Sequence, residues 1–153
     1  LLVGWGGAFA GVGNKSLGWD YNRHTRRLVV FSLKGTAQVP PQPPPYFPQP
    51  IADPDFTPDE KLAAKGYDLY WKCFNCHGAK VISKGMAPDL RASPIVQNQI
   101  VFNSVVRDGI KADMGMPAYK DLTDEDLRAL RHYINTQANE SLKDKVTTKA
   151  VGF

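Results

Sequence analysis

The chain has 153 residues, 42% of them hydrophobic and 22% charged, with a net charge of +4. That composition suits a soluble globular protein and contains no apolar run long enough to cross a membrane. The positive charge is confined to residues 1–39, where Lys15, Arg23, Arg26, Arg27 and Lys34 stand against Asp20 alone; residues 40–153 hold 14 basic and 14 acidic side chains. A nucleic-acid binder concentrates its basic face, so the Arg23–Arg27 cluster reads as a solvated loop.

Residues 1–38 read as a β fragment. Leu1-Leu2-Val3 is an apolar strand stub without the basic flank or long apolar core of a signal peptide, so the chain is expected to begin within a longer protein or after a removed leader. A glycine-rich stretch, Gly4 to Asn14, follows. Gly11-Val12-Gly13-Asn14-Lys15-Ser16 superficially resembles a phosphate loop, but Asn14 stands where glycine must precede the lysine. Arg27-Leu28-Val29-Val30-Phe31-Ser32-Leu33 is apolar on both faces, so as a strand it needs cover on both sides. Two or three strands cannot supply that for themselves, and a larger sheet is expected from elsewhere.

Residues 39–52, containing Pro40-Pro41-Gln42-Pro43-Pro44-Pro45, lack most backbone donors and predict an extended polyproline spacer at a domain boundary. An SH3-type ligand is the competing use of such a run. The region 53–140 is predicted helical, with 141–153 as a tail. Thr57-Pro58-Asp59-Glu60 predicts a helix start, capped by Thr57 with Pro58 at the first position, running into Cys73. Ser93-Pro94 predicts a second helix that buries Ile95, Val101, Phe102 and Val105 and stops at Gly109. Thr123-Asp124-Glu125-Asp126 predicts a third, with the acidic residues at the positive end of its dipole and Leu127, Leu130 and Ile134 as its apolar stripe, Tyr133 beside them.

Cys73-Phe74-Asn75-Cys76-His77 carries the chemistry. Two cysteines two residues apart, followed at once by histidine, are the attachment signature of a c-type haem. Each thiol adds across one vinyl group, and His77 then lies under the iron. A structural zinc site needs four ligands, usually as two pairs, whereas this chain has 2 Cys and 3 His and no second pair. A redox dithiol belongs beside a βαβ pattern, and none is visible. With both cysteines committed, no disulfide remains to report the redox compartment. Met86, Met114, Met116, His24 and His132 are the candidates for a second axial ligand. His132 lies about 180° from the apolar stripe at 100° per residue and is expected to face solvent.

With Gly66 and Tyr70 ahead of the haem motif and Gly115-Met116-Pro117 ahead of the last helix, the chain resembles class I cytochromes c. The resemblance implies that Gly66 and Tyr70 pack against the last helix, at Leu130 and Tyr133; a tolerated glycine is the plainer reading of Gly66. It implies Met116 as the distal ligand, 39 residues after His77, with Met114 as a substitute and Met86 as packing. It also implies that the Pro88 carbonyl accepts the Nδ1–H of His77. Arg91 is a candidate partner for a haem propionate or else a surface arginine, and Lys72 a solvated contributor to docking.

Taken together, the β fragment, proline-rich linker and cytochrome resemble the C-terminal end of quinohaemoprotein alcohol dehydrogenases. In that family a propeller binding pyrroloquinoline quinone (PQQ) and calcium oxidises alcohols and passes electrons to a tethered haem c domain. Nearly all of the propeller is absent here, with its catalytic aspartate and calcium ligands, so this chain is not expected to oxidise an alcohol alone. The expected role is electron transfer in the periplasm, from the propeller to a further acceptor, with no nucleic acid and no membrane span. The alternative is a free-standing monohaem carrier or ligand sensor with an unrelated extension.

Overall fold

A long C-terminal helix organises the haem-motif half of the chain. The computed structural model describes residues 18–25, 27 and 30–150. In chain order the helices are α1 (Glu60–Tyr70), α2 (Phe74–His77), α3 (Gln99–Val106) and α4 (Asp124–Ala150). Single 3₁₀ turns at Ala79–Val81, Leu90–Ala92, Pro94–Gln97 and Ala112–Met114 punctuate the connections. The described part of the chain is therefore mainly α, as expected, and among the described residues there is no strand.

Helix α1 starts two residues later than the sequence predicts. Its cap is Asp59, whose carboxylate accepts the Leu62 N–H at 3.0 Å, so Thr57 and Pro58 lie outside the helix. The Asp59 N–H itself donates to His132 Nε2 on α4 at 3.1 Å, and the Phe56 ring lies 4.8 Å from that imidazole. This long-range seat decides the start and corrects the expectation for His132, which is half-buried under residues 56–59 rather than facing water. The helix also ends at Tyr70, short of Cys73.

Ser93-Pro94 opens a 3₁₀ turn, and α3 begins only after Asn98, whose side chain accepts the Ile100 and Val101 N–H groups at 3.0 and 3.1 Å. Shifting the start rotates the buried face: Phe102, Val105 and Val106 are buried, while Val101 is exposed. The helix stops at Val106, before Gly109.

At the head of α4, Thr123 Oγ1 accepts the Asp126 N–H at 3.2 Å and Asp126 accepts the Thr123 N–H at 3.0 Å, a reciprocal cap. These bonds, with Lys65 Nζ 2.9 Å from the carboxylate, hold Asp126 down at about 2. The folded value lies below the ordinary one, so this contribution is present at neutral pH and fades as pH falls from about 4 to about 2. Thr123→Ala should cost about 1 kcal/mol at neutral pH by urea unfolding, with the difference from wild type shrinking toward pH 2. The helix continues without interruption past residue 140.

Helices α1 and α4 cross at Gly66. A Cβ there would lie 2.1 Å from the Ala129 carbonyl oxygen and 2.7 Å from Tyr133 Cβ. The contact is thus with Ala129 and Tyr133, not Leu130, which turns inward with Leu127 and Ile134 to the core. Gly66→Ala gains helix propensity of up to about 1 kcal/mol but must part the helices. A net loss of about 1–3 kcal/mol is expected in thermal unfolding.

The linker does not project as a spacer. Gln42 and Thr25 exchange two hydrogen bonds (2.8 and 3.2 Å), His24 Nε2 lies 3.2 Å from the Pro44 carbonyl, and the Tyr46 N–H donates to Gly18 O at 2.7 Å. The Arg27 guanidinium reaches the Pro40 and Pro41 carbonyls. Proline carbonyls keep their acceptors although the ring nitrogens have no hydrogen, and the preceding segment uses them. The expected Leu1–Val3 stub and the Gly4–Asn14 stretch lie outside the described residues. Of the expected Arg27–Leu33 strand, Arg27 and residues 30–33 are described and are in no strand, with Val30, Phe31 and Leu33 exposed. No described segment offers them a ladder.

Candidate haem site

The haem motif is presented by a tight reversal between α1 and α2. The Cys73 N–H donates to Tyr70 O at 2.8 Å, and the buried Tyr70 hydroxyl donates to Gly78 O at 2.8 Å. Gly78 has φ +83°, and a Cβ there would meet Ile82 O at 2.1 Å, so glycine is required directly after His77. Lys80 and Val81 also take positive φ, at 51° and 62°. A left-handed β-branched residue is strained; Val81 is fully buried in the core, which holds it there.

That reversal brings the following loop back beneath His77. Ser83 Oγ donates to Ala87 O at 2.5 Å, the Ser83 N–H donates to Asp89 at 3.3 Å, and His77 Nδ1 lies 2.8 Å from the Pro88 carbonyl oxygen. A carbonyl can only accept, so Nδ1 carries the proton and Nε2 keeps its lone pair. Burial pushes the imidazole pKa down from its ordinary value, against the opposing pull of the Pro88 carbonyl and Asp89. A neutral, oriented imidazole is the form that ligates a metal.

Arg91 is committed elsewhere than the sequence suggests. Its Nε lies 3.0 Å and its Nη2 2.7 Å from the two oxygens of the buried Asp89 carboxylate, and Nη1 donates to Ser141 Oγ at 3.0 Å. It ties the loop under His77 to α4 and does not line the cavity described next. An acid two residues away gives the guanidinium a fixed bidentate partner.

A cavity of about 290 Å³ opens between this loop and the segment before α4. Cys73, His77 and Pro88 line it, as do Met114 and Met116 of the segment before α4. Val96, Phe102, Leu130 and Ile134 make the walls apolar. Cys76 is exposed on α2. Met116 is partly buried against the core. Met114 is 70% exposed, with its sulfur 3.6 Å from Lys111 Nζ. Met86 and His24 do not line the cavity, and the two ring nitrogens of His24 are engaged with Asp20 and Pro44.

The donor set fits a c-type haem. A cysteine and an imidazole with a free lone pair line an apolar slot that Met114 and Met116 also line. The alternative, a redox dithiol, needs a lowered thiol pKa; burial instead pushes Cys73 up to about 11. Lys72 is exposed, as expected, and pairs with the likewise exposed Asp121 at 3.3 Å, while its carbonyl accepts the Tyr119 hydroxyl at 2.8 Å.

Sequence reasoning missed Tyr21, which lines the cavity from before the linker. No spacing could have found it, because its approach depends on how residues 18–24 fold onto the loop at 83–89.

Residues 61–134 match the family model described as cytochrome c oxidase, cbb3-type, subunit III. The chain is 33% identical over 143 residues to quinohemoprotein alcohol dehydrogenase ADH IIB of Pseudomonas putida, covering 92% of this chain and 20% of that protein. It is 35% identical over 153 residues to the dehydrogenase subunit of the quinone alcohol dehydrogenase of Gluconobacter oxydans, covering 96% of this chain and 20% of the relative. The lupanine 17-hydroxylase [cytochrome c] of a Pseudomonas species is 32% identical over 80% of this chain. Among solved structures, quinohemoprotein alcohol dehydrogenase ADHIIG of Pseudomonas putida HK5 is similar with a TM-score of 0.56 and 30% identity, over 72% of this chain and 16% of that one. The chain thus spans about a fifth of the length of these curated relatives. Among the described residues no helix is long and apolar enough to cross a membrane.

Proposed function

From a chain that carries a cytochrome c domain of the quinohaemoprotein alcohol dehydrogenase kind, we propose a one-electron relay through a single covalent haem c. The convergence of Cys73, His77 and Met116 on one apolar cavity carries the reading. Cys73 and Cys76 would hold the haem by thioethers, and His77 Nε2 and Met116 would be its iron ligands. Met116 is preferred to Met114 because it is packed against the core, whereas Met114 is mostly in water. Bound there, the haem supplies reversible Fe(III)/Fe(II) chemistry, and methionine opposite histidine raises its potential.

The protein's own residues do the rest. Pro88 fixes the imidazole, Asp89 and Arg91 brace the loop that carries Pro88, and the apolar walls keep water from the iron. The donor is the reduced PQQ of a propeller domain that this chain does not include, where calcium also belongs. The acceptor is a periplasmic redox protein or quinone-linked complex. Exposed Val30, Phe31 and Leu33, ahead of the linker, are apolar surface that such a domain would cover.

Rapid mixing tests the donor. The haem-loaded chain is mixed with a PQQ propeller that lacks its own cytochrome and has been reduced by alcohol, and haem absorbance is followed. Haem reduction whose rate rises with propeller concentration is expected. A haem that stays ferric there, yet is reduced by dithionite, favours the free-standing carrier.

A further inference from the structure

Tyr21 comes from before the proline-rich linker, yet it lines the same cavity as His77. Its segment is firmly seated on the loop beneath that histidine. The Tyr21 N–H donates to Gly85 O at 2.9 Å, and Trp19 lies so close that a Cβ on Gly85 would come within 1.8 Å of the Trp19 carbonyl oxygen. Arg23 stacks 3.6 Å over the Tyr46 ring, which pins the far end of the segment to the linker.

Ser93 lines the cavity too. Tyr21, Pro88 and Ser93 also border the neighbouring surface hollow, which places Tyr21 and Ser93 at the rim rather than the floor. Among the described residues, the Tyr21 hydroxyl has no hydrogen-bond partner. Haem brings two carboxylates, and a carboxylate entering an apolar slot needs donors. The nearest guanidinium in sequence, Arg91, is held by Asp89 and Ser141. Lys111 also lines the cavity, from the methionine-bearing segment, with its Nζ 3.6 Å from Met114 sulfur.

We propose that the Tyr21 hydroxyl donates a hydrogen bond to a haem carboxylate at this rim, beside Ser93. The segment preceding the linker is then part of the haem site. It supplies a donor to the carboxylate while Trp19 and the Tyr21 backbone brace the loop that orients His77. This assignment rests on the covalent-haem reading above.

Tyr21→Phe in the haem-loaded chain tests it, since the ring and its packing stay while the donor goes. In resonance Raman spectra the propionate bending band should move to lower frequency. The midpoint potential should also fall, because the carboxylate charge is then less offset and favours Fe(III). A merely structural role would leave the band in place in this variant. An unmoved propionate band in Tyr21→Phe overturns the proposal. Haem that is not covalently attached in the wild-type chain would instead sink the cytochrome reading itself, so the two failures are distinguishable.

Discussion

Met116→Leu should leave the haem attached while abolishing the methionine–iron charge-transfer band of the ferric protein and lowering the reduction potential. Leucine nearly conserves the volume of methionine, and such swaps in cores cost less than about 1.5 kcal/mol, so the fold should survive. The thioether is lost, and with it the ligand that raises the potential opposite histidine. Met114→Leu is the control and should keep the band, because Met114 is largely in water beside Lys111. Loss of the band in Met114→Leu, and its survival in Met116→Leu, would exchange the two assignments.

Arg91→Leu should be the most destabilising single change in the loop under His77. The Asp89 side chain is 3% exposed and Arg91's 12%. Removing the guanidinium leaves a buried carboxylate with the Ser83 and Arg91 backbone N–H groups as donors. Breaking a buried pair from one side costs about 3–5 kcal/mol, measurable by urea unfolding of the haem-loaded chain. Asp89→Asn/Arg91→Leu together should recover part of that loss, since no buried charge is then stranded. Because the loop carries Pro88, the single variant should also weaken the hold on the His77 ring.

What could be read from the sequence was what is encoded locally. The haem motif is five consecutive residues, and the Thr123–Asp126 cap is complete within four. The helical class followed from such short patterns, while the α1–α4 crossing at Gly66 came from the resemblance to class I cytochromes c. Most of the misses share a cause, which is that a partner distant in sequence decides the outcome; the start of α3 is instead a choice between two nearby caps. Asp59 displaces Thr57 as the cap of α1 because its backbone is seated on His132, 73 positions away. His132 does point away from the core stripe, but residues 56–59 cover that side. Val101 is exposed because Asn98, rather than Ser93, caps α3. The linker lies along residues 18–25 and Arg27 because its proline carbonyls are acceptors for side chains of that segment. Arg91 is a partial exception, since its true partner is two residues away, but only burial makes that pairing preferable to a propionate.

The half that carries the haem motif therefore positions the candidate ligands His77 and Met116 largely by itself, and the preceding segment reaches in at Tyr21. The relay reading depends first on the haem being covalently held by Cys73 and Cys76. Acid–acetone extraction of the chain, produced in a host that attaches haem c, tests that most directly. Haem should remain with the wild-type polypeptide and extract from Cys73→Ser/Cys76→Ser. Haem that extracts from the wild type, or a wild-type chain that takes up none, would contradict the account.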